Sequence, residues 1–258
     1  MLRFAALLLA IPLAAQSQAG KWSFGIHGGT PELKGNYSDS GNSLTNFNIK
    51  DDFNLDKDSM GLGARLDYMG ARFGFSLDYG VYDYAGKSRI NREFEIAGQV
   101  FKAGMDVTSS LKNTALDFSG TVKVLRADKA WLGVDLGVQV WSLDVKADGV
   151  GSVSGIDITE KVNVNESYTV PIPQIGVSCG YQCLNDRLVL GARARFLAYS
   201  GASYTRFIGD ARYYVTPWLG LRLFADIQSL DAPKSSIIDN VEAKLDRNAL
   251  GFGVVARW

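Results

Sequence analysis

The chain has 258 residues, 47% of them hydrophobic and 21% charged, with a mean hydropathy of −0.01, which fits a folded protein that is neither disordered nor a bundle of membrane helices. Lys and Arg together number 27, as do Asp and Glu, so there is no cationic excess to hold a phosphate backbone, and nucleic acid is not an expected partner. The single histidine leaves little room for histidine-based catalysis, while 28 Gly, 13 Phe and 11 Tyr against 6 Pro favour aromatic, glycine-punctuated β-structure.

Residues 1–19 stand apart. Arg3 precedes an apolar run from Ala5 to Ala15, and Ser17 and Ala19 supply small residues at the −3 and −1 positions of a cleavage site. This pattern predicts a secretory signal peptide, because the run is too short to span a bilayer as a helix. Beyond Ala19 no stretch approaches 18 uncharged apolar residues, so an exported chain of this kind is either soluble or a β-barrel.

Strict period-two alternation then decides. Trp22, Phe24 and Ile26 alternate with Ser23, Gly25 and His27; Leu62, Ala64, Leu66 and Tyr68 with Gly61, Gly63, Arg65 and Asp67; Phe73, Phe75, Leu77 and Tyr79 with Gly74, Ser76, Asp78 and Gly80. The pattern returns at Leu116–Val124, Leu132–Val140, Tyr168–Tyr181, Leu188–Phe196, Phe207–Val215, Leu219–Ile227 and Leu250–Trp258. Ten strands follow, joined by short turns at 69–71, 126–130, 182–187 and 216–218, and by connections at 31–58, 85–113, 146–167, 199–203 and 231–245, three of them longer than twenty residues. Short turns on one rim and long loops on the other, with an even strand number, is the layout of an outer-membrane barrel.

Which face meets lipid is read from composition. One parity is apolar; the other is Gly, Ser and mid-strand charge: Arg65, Asp67, Arg72, Asp78, Asp117, Lys123, Asp135, Arg193, Arg195, Arg206, Asp210, Arg212, Arg222, Asp226 and Arg257. That charge set belongs in a polar lumen. Trp22, Tyr68, Trp131, Tyr181, Trp218 and Trp258 fall at the short-turn ends and make an aromatic girdle, with Trp131 and Trp218 off the lipid-facing parity. The closing strand, Leu250 to Trp258, alternates up to a terminal aromatic. It resembles the C-terminal signal, here Phe252 and Trp258, by which outer-membrane barrels are taken up by the barrel assembly machinery. With the export signal and hairpin series, the chain is similar to small Gram-negative outer-membrane β-barrel proteins.

The expected fold is therefore all-β: one transmembrane, antiparallel, up-and-down barrel of ten strands, with eight as the alternative, over residues 20–258 behind a signal peptide at 1–19. Nine cations and six anions in the lumen read either as an interior ion-pair network filling a narrow barrel or as the lining of a mildly anion-preferring pore. His27 reads as a satisfied lumen residue, without a nucleophile or acid arranged beside it at a rim. The acidic run Asp51–Asp58 lacks the glycine and the bidentate glutamate of a calcium loop and reads as a solvated external loop, with divalent-ion or lipopolysaccharide bridging as the other reading. Cys179 and Cys183 would lie about 13 Å apart along an extended strand and can bridge only if a turn begins by Tyr181. The segment Phe94–Phe101 reads as a hairpin above the membrane, packed against Val150–Val164 as a lid or exposed to a partner. The expected role is that of a non-enzymatic outer-membrane protein, structural or surface-interactive, with a largely filled lumen, long extracellular loops, no cofactor and no metal. Its surroundings are outer-membrane lipid and lipopolysaccharide, its biogenesis partner the assembly machinery, and its state monomeric. A narrow passive channel and a barrel-embedded hydrolase or acyltransferase are the alternatives.

Overall fold

A computed structural model describes residues 21–39, 46–48, 52–55, 60–96, 99–152, 159–199, 201–233 and 241–258. The expected signal peptide lies outside the described residues. Ten long strands follow one another around a closed wall: β1 (Lys21–Asp39), β3 (Met60–Met69), β4 (Phe73–Arg89), β7 (Asp106–Arg126), β8 (Ala130–Ser152), β9 (Thr159–Cys183), β10 (Leu188–Tyr199), β11 (Ala202–Tyr214), β12 (Leu219–Ala232) and β13 (Val241–Arg257). Every neighbour is antiparallel and β13 returns to β1, so the sheet closes into an up-and-down barrel. Three short strands lie in the connections: β2 (Asn46–Asn48) pairs with β1, and β5 (Phe94–Ile96) pairs with β6 (Gln99–Phe101).

The wall is much taller than expected from sequence. The connections assigned to 85–113 and 146–167 are largely strand, and strand also enters those at 31–58 and 231–245: β1 runs to Asp39, β4 to Arg89, β8 to Ser152, β9 starts at Thr159 and β13 at Val241. The reason is an inversion of the pattern partway up the barrel. In β7, Leu116, Phe118, Val122 and Val124 are exposed while Asp117, Ser119 and Thr121 are buried; above them Thr108, Ser110 and Lys112 are exposed while Val107, Leu111 and Ala115 are buried. The same exchange occurs in β13, where exposed Leu250, Phe252 and Val254 give way to exposed Glu242, Lys244 and Asn248. Period two persists through the exchange, but the apolar parity switches face.

Below the exchange, the outward apolar runs Phe73–Val81, Leu116–Val124, Leu132–Val140, Leu219–Ile227 and Leu250–Trp258 each cover nine residues, the length a tilted strand needs to cross the hydrocarbon layer. Above it, the wall is a water-facing barrel with an apolar interior. That interior is filled from the loops. Phe94 and Phe101 of the β5–β6 hairpin are 0% exposed and stacked, Phe53 and Leu55 are buried from the β2–β3 connection, and the cluster includes Val107, Leu111, Trp141, Val162 and Val164. The hairpin is thus a lid packed inside the mouth. Gly149 makes this possible, since a Cβ there would stand 3.0 Å from the Phe101 ring.

β9 passes straight through Pro171 and Pro173, opposite Val140 and Val138 of β8. Proline donates no hydrogen bond, so both must occupy non-hydrogen-bonded pairs with their nitrogens turned to the other side. On that side β10 pairs only with Ile175–Cys183, leaving Thr159–Gln174 with a single strand partner among the described residues. The strand continues through Cys183, and Cys179 and Cys183 are unbridged.

Candidate functional site

Twelve of the fifteen charged residues expected in the lumen lie inside the barrel, in three groups of ion pairs. At its short-turn end Arg212 lies 3.0 Å from Asp67 and 2.6 Å from Asp210. Arg65 reaches Asp67 at 2.9 Å and Asp78 at 3.2 Å. Arg193 pairs with Asp135 at 3.2 Å and donates to Ser76, whose hydroxyl is 2.9 Å from that of Ser119. Asp135 also accepts from Thr121 and Ser178. Higher up, Asp117 holds Arg195 at 2.7 Å and also Arg206, and Arg206 in turn bonds both oxygens of Asp226. Arg222 lies 3.8 Å from Asp210 and 3.4 Å from His27 Nδ1. The six carboxylates all have arginine partners, which is what burial demands of charge in a membrane interior.

Above this layer the polar atoms change to amides and phenols. The Tyr204 hydroxyl lies 2.6 Å from Gln139 Oε1 and 2.9 Å from Gln228 Oε1, its one proton serving one of them at a time, and Gln174 donates to Gln139 at 3.2 Å. Burial pushes the Tyr84 and Tyr204 phenols well above their ordinary range, so both remain neutral. Arg247, 1% exposed, lies 3.6 Å from Asp226, with its guanidinium 4.1 Å from the Tyr82 ring and 5.5 Å from that of Trp141. Sequence reading missed Arg247, Tyr82, Trp141 and Tyr204 because the expected strands stopped at the exchange of parity. Following Ala243, Leu245, Arg247 and Ala249 down the same face would have found the arginine.

Three expected lumen residues lie elsewhere. Arg72 is exposed in the β3–β4 turn, because β4 begins only at Phe73. Lys123 and Arg257 sit at the short-turn mouth. Lys123 donates to the Gly70 carbonyl at 2.8 Å and lies 5.2 Å from the Trp131 ring; Arg257 donates to the carbonyls of Pro217 and Asp186 and lies 3.7 Å from the Tyr214 ring.

The expected girdle divides in a similar way. Trp22, Tyr68 and Phe75 pack together with ring centroids 5.0 to 5.2 Å apart, and Trp258 exchanges two backbone bonds with Trp22 where the barrel closes. Tyr181 and Phe252 are exposed on the apolar band. Trp218 is exposed in the β11–β12 turn, whereas Trp131 turns inward, its ring over Gly180 and Gly133, following the strand parity that opposed a lipid-facing position.

His27 is 7% exposed at the level of the membrane band, 3.7 Å from Asp78 and edge-on to Phe224. Asp52, the described part of the acidic run with Phe53, Asn54 and Leu55, is engaged by Arg92 at 2.7 Å and by the Asn48 amide. The rest of that run lies outside the described residues, and among the described residues no three metal-ligating side chains converge.

No protein-family model and no curated protein matches the sequence. The fold is similar to that of the outer membrane protease OmpT from Escherichia coli, with a TM-score of 0.62 at 10% identity over 95% of this chain and 100% of that one. Looser matches are the toluene transporter TodX from Pseudomonas putida (TM-score 0.39, 11% identity, 97% of this chain and 93% of that one) and Ail of Yersinia pestis (0.37, 13%, 93% and 99%). The architecture is that of the bacterial outer-membrane β-barrels, and the apolar band is built to the thickness such a membrane requires.

Proposed function

We propose that this chain is a closed, non-enzymatic outer-membrane barrel that anchors a tall, water-facing strand wall for surface interaction. The observation that carries the reading is a double seal. An arginine–aspartate layer crosses the lumen at the level of the apolar band, and above it the aromatic plug of Phe94, Phe101, Phe53 and Trp141 fills the mouth. A pore needs a hydrated path past both; side chains locked in mutual ion pairs and a dry aromatic core offer none. The wall above the membrane is the part that differs from a minimal anchor, and outer-membrane lipid, lipopolysaccharide and the assembly machinery are its proposed surroundings, with a monomer as the working unit.

The E. coli neighbour is a protease, which raises the question of a hydrolase. In this chain the one histidine is enclosed between Asp78, Arg222 and Phe224 beneath the plug, a position that supports a packing role, since a substrate entering from the loops would first meet the aromatic core.

Planar-bilayer recording of the purified protein tests the reading. Wild type is expected to show no conductance steps. A Phe94→Ala/Phe101→Ala variant removes only the plug, so it stays closed if the ion-pair layer is a seal in its own right. Steady conductance steps from folded wild type would overturn the closed-barrel reading, and cleavage of a peptide or lipid substrate by wild type but not by His27→Ala would overturn the non-enzymatic one.

A further inference from the structure

Beneath the ion-pair layer, the short-turn end of the barrel is not filled. A cavity of about 580 Å³ opens there, reaching from Arg65, Asp67 and Arg212 at its inner end to Lys123, Trp131 and Arg257 toward the mouth. Its size falls within the range of small-molecule sites.

The charge distribution gives it a sign. Inside the barrel, Asp67, Asp78, Asp117, Asp135, Asp210 and Asp226 are each paired with arginine, so the inner end of the cavity is close to neutral. Of the remaining cations of the cavity, Lys21 lies 3.9 Å from Asp186, whereas the polar partners of Lys123 and Arg257 are backbone carbonyls and aromatic rings instead of carboxylates. These two cations stand on β7 and β13, separated by β4, β3 and β1 on one side of the ring and by five strands on the other, and so face each other across the cavity. Each is steadied by a ring, Trp131 beneath Lys123 and Tyr214 beneath Arg257. Trp131, on the inward parity of its strand, lines this space. Two preorganised cations on opposite walls, in a recess enclosed by low-dielectric lipid, concentrate positive potential where a solute can enter.

We infer that this cavity is a binding site for a small organic anion carrying two separated anionic groups, such as a dicarboxylate or tricarboxylate or a phosphorylated carboxylic acid, held between Lys123 and Arg257 with its body against Trp131. The site opens at the short-turn rim, away from the plugged mouth. It does not depend on whether the barrel conducts, so a failed bilayer test leaves it standing and the reverse also holds.

Isothermal titration of the full-length protein, purified in detergent from membranes, with citrate, inorganic phosphate and spermidine is the test. Citrate is expected to bind more tightly than phosphate, and spermidine not at all. A Lys123→Gln/Arg257→Gln variant that keeps its heat-dependent shift in electrophoretic mobility should weaken citrate binding at least about tenfold, the loss expected for removing charged hydrogen bonds. Lys123→Arg/Arg257→Lys should retain most of it. A readout independent of any variant is acrylamide quenching of tryptophan emission, in which citrate should protect a fraction that disappears in Trp131→Phe. No citrate binding by wild type at millimolar concentration, equal binding by the charge-removed variant, or spermidine binding as tight as citrate would overturn the assignment.

Discussion

At the scale of single residues, the arginine–aspartate layer dominates. Asp117 accepts from both Arg195 and Arg206, so truncating it leaves the buried Arg195 without its carboxylate and takes one of two carboxylates from Arg206, which keeps Asp226. Asp117→Ala should therefore destabilise the barrel by about 3–5 kcal/mol, the usual penalty for breaking a buried pair from one side. Urea-dependent loss of the folded, heat-modifiable band measures it, with Asp117→Asn expected to cost less because it still accepts hydrogen bonds. This charge set was readable in sequence, since parity alone put twelve of its members on one face. The actual pairing was not, because Arg195 and Asp117 are 78 residues apart and come together only when the sheet closes.

At the scale of elements, β9 is the informative strand. Its upper part, Thr159–Gln174, is paired on one side by β8 and has no second strand among the described residues, and Pro171 and Pro173 turn their donor-free nitrogens to that open side. Proline is a poor residue for a central strand, yet here the two prolines are what an exposed edge needs to resist pairing with another chain. Pro171→Val/Pro173→Val should fold as the same barrel but acquire oligomers in detergent. Analytical ultracentrifugation distinguishes the two, and a variant that sediments as wild type does would show that the edge is blunted by something else. The hairpin β5–β6 teaches a related lesson: its alternating apolar residues announced a strand pair, but only the three-dimensional position of Gly149 and Val107 shows that it folds into the mouth.

At the scale of the whole molecule, the barrel is two solvents' worth of design on one set of strands. Leu223, 64% exposed at the centre of the outward run of β12, faces lipid on this reading, whereas Thr108 faces water on the outer wall of β7. Leu223→Arg should cost about 2–4 kcal/mol of folding stability in lipid vesicles, as charge does at the midplane of a barrel's lipid face. Thr108→Arg should stay within about 0.5 kcal/mol of wild type, as for ordinary surface positions. Equal costs at the two positions would remove the membrane boundary drawn at the exchange of parity.

The sequence by itself determined the fold class, the number of strands and the side of each strand that carries charge, because period-two alternation is a local property and a strand's two faces must meet different surroundings. It also contained the exchange from apolar-out to polar-out, visible as continuing alternation with reversed parity, though only in the structure does that become a boundary between membrane and water. Tertiary structure alone decided three things: how far the wall extends into the expected loops, that the mouth is plugged while the other end is hollow, and that Trp131, already off the lipid-facing parity, borders that hollow. Each depends on contacts between residues on different strands, and barrel closure, not local pattern, sets which of them meet.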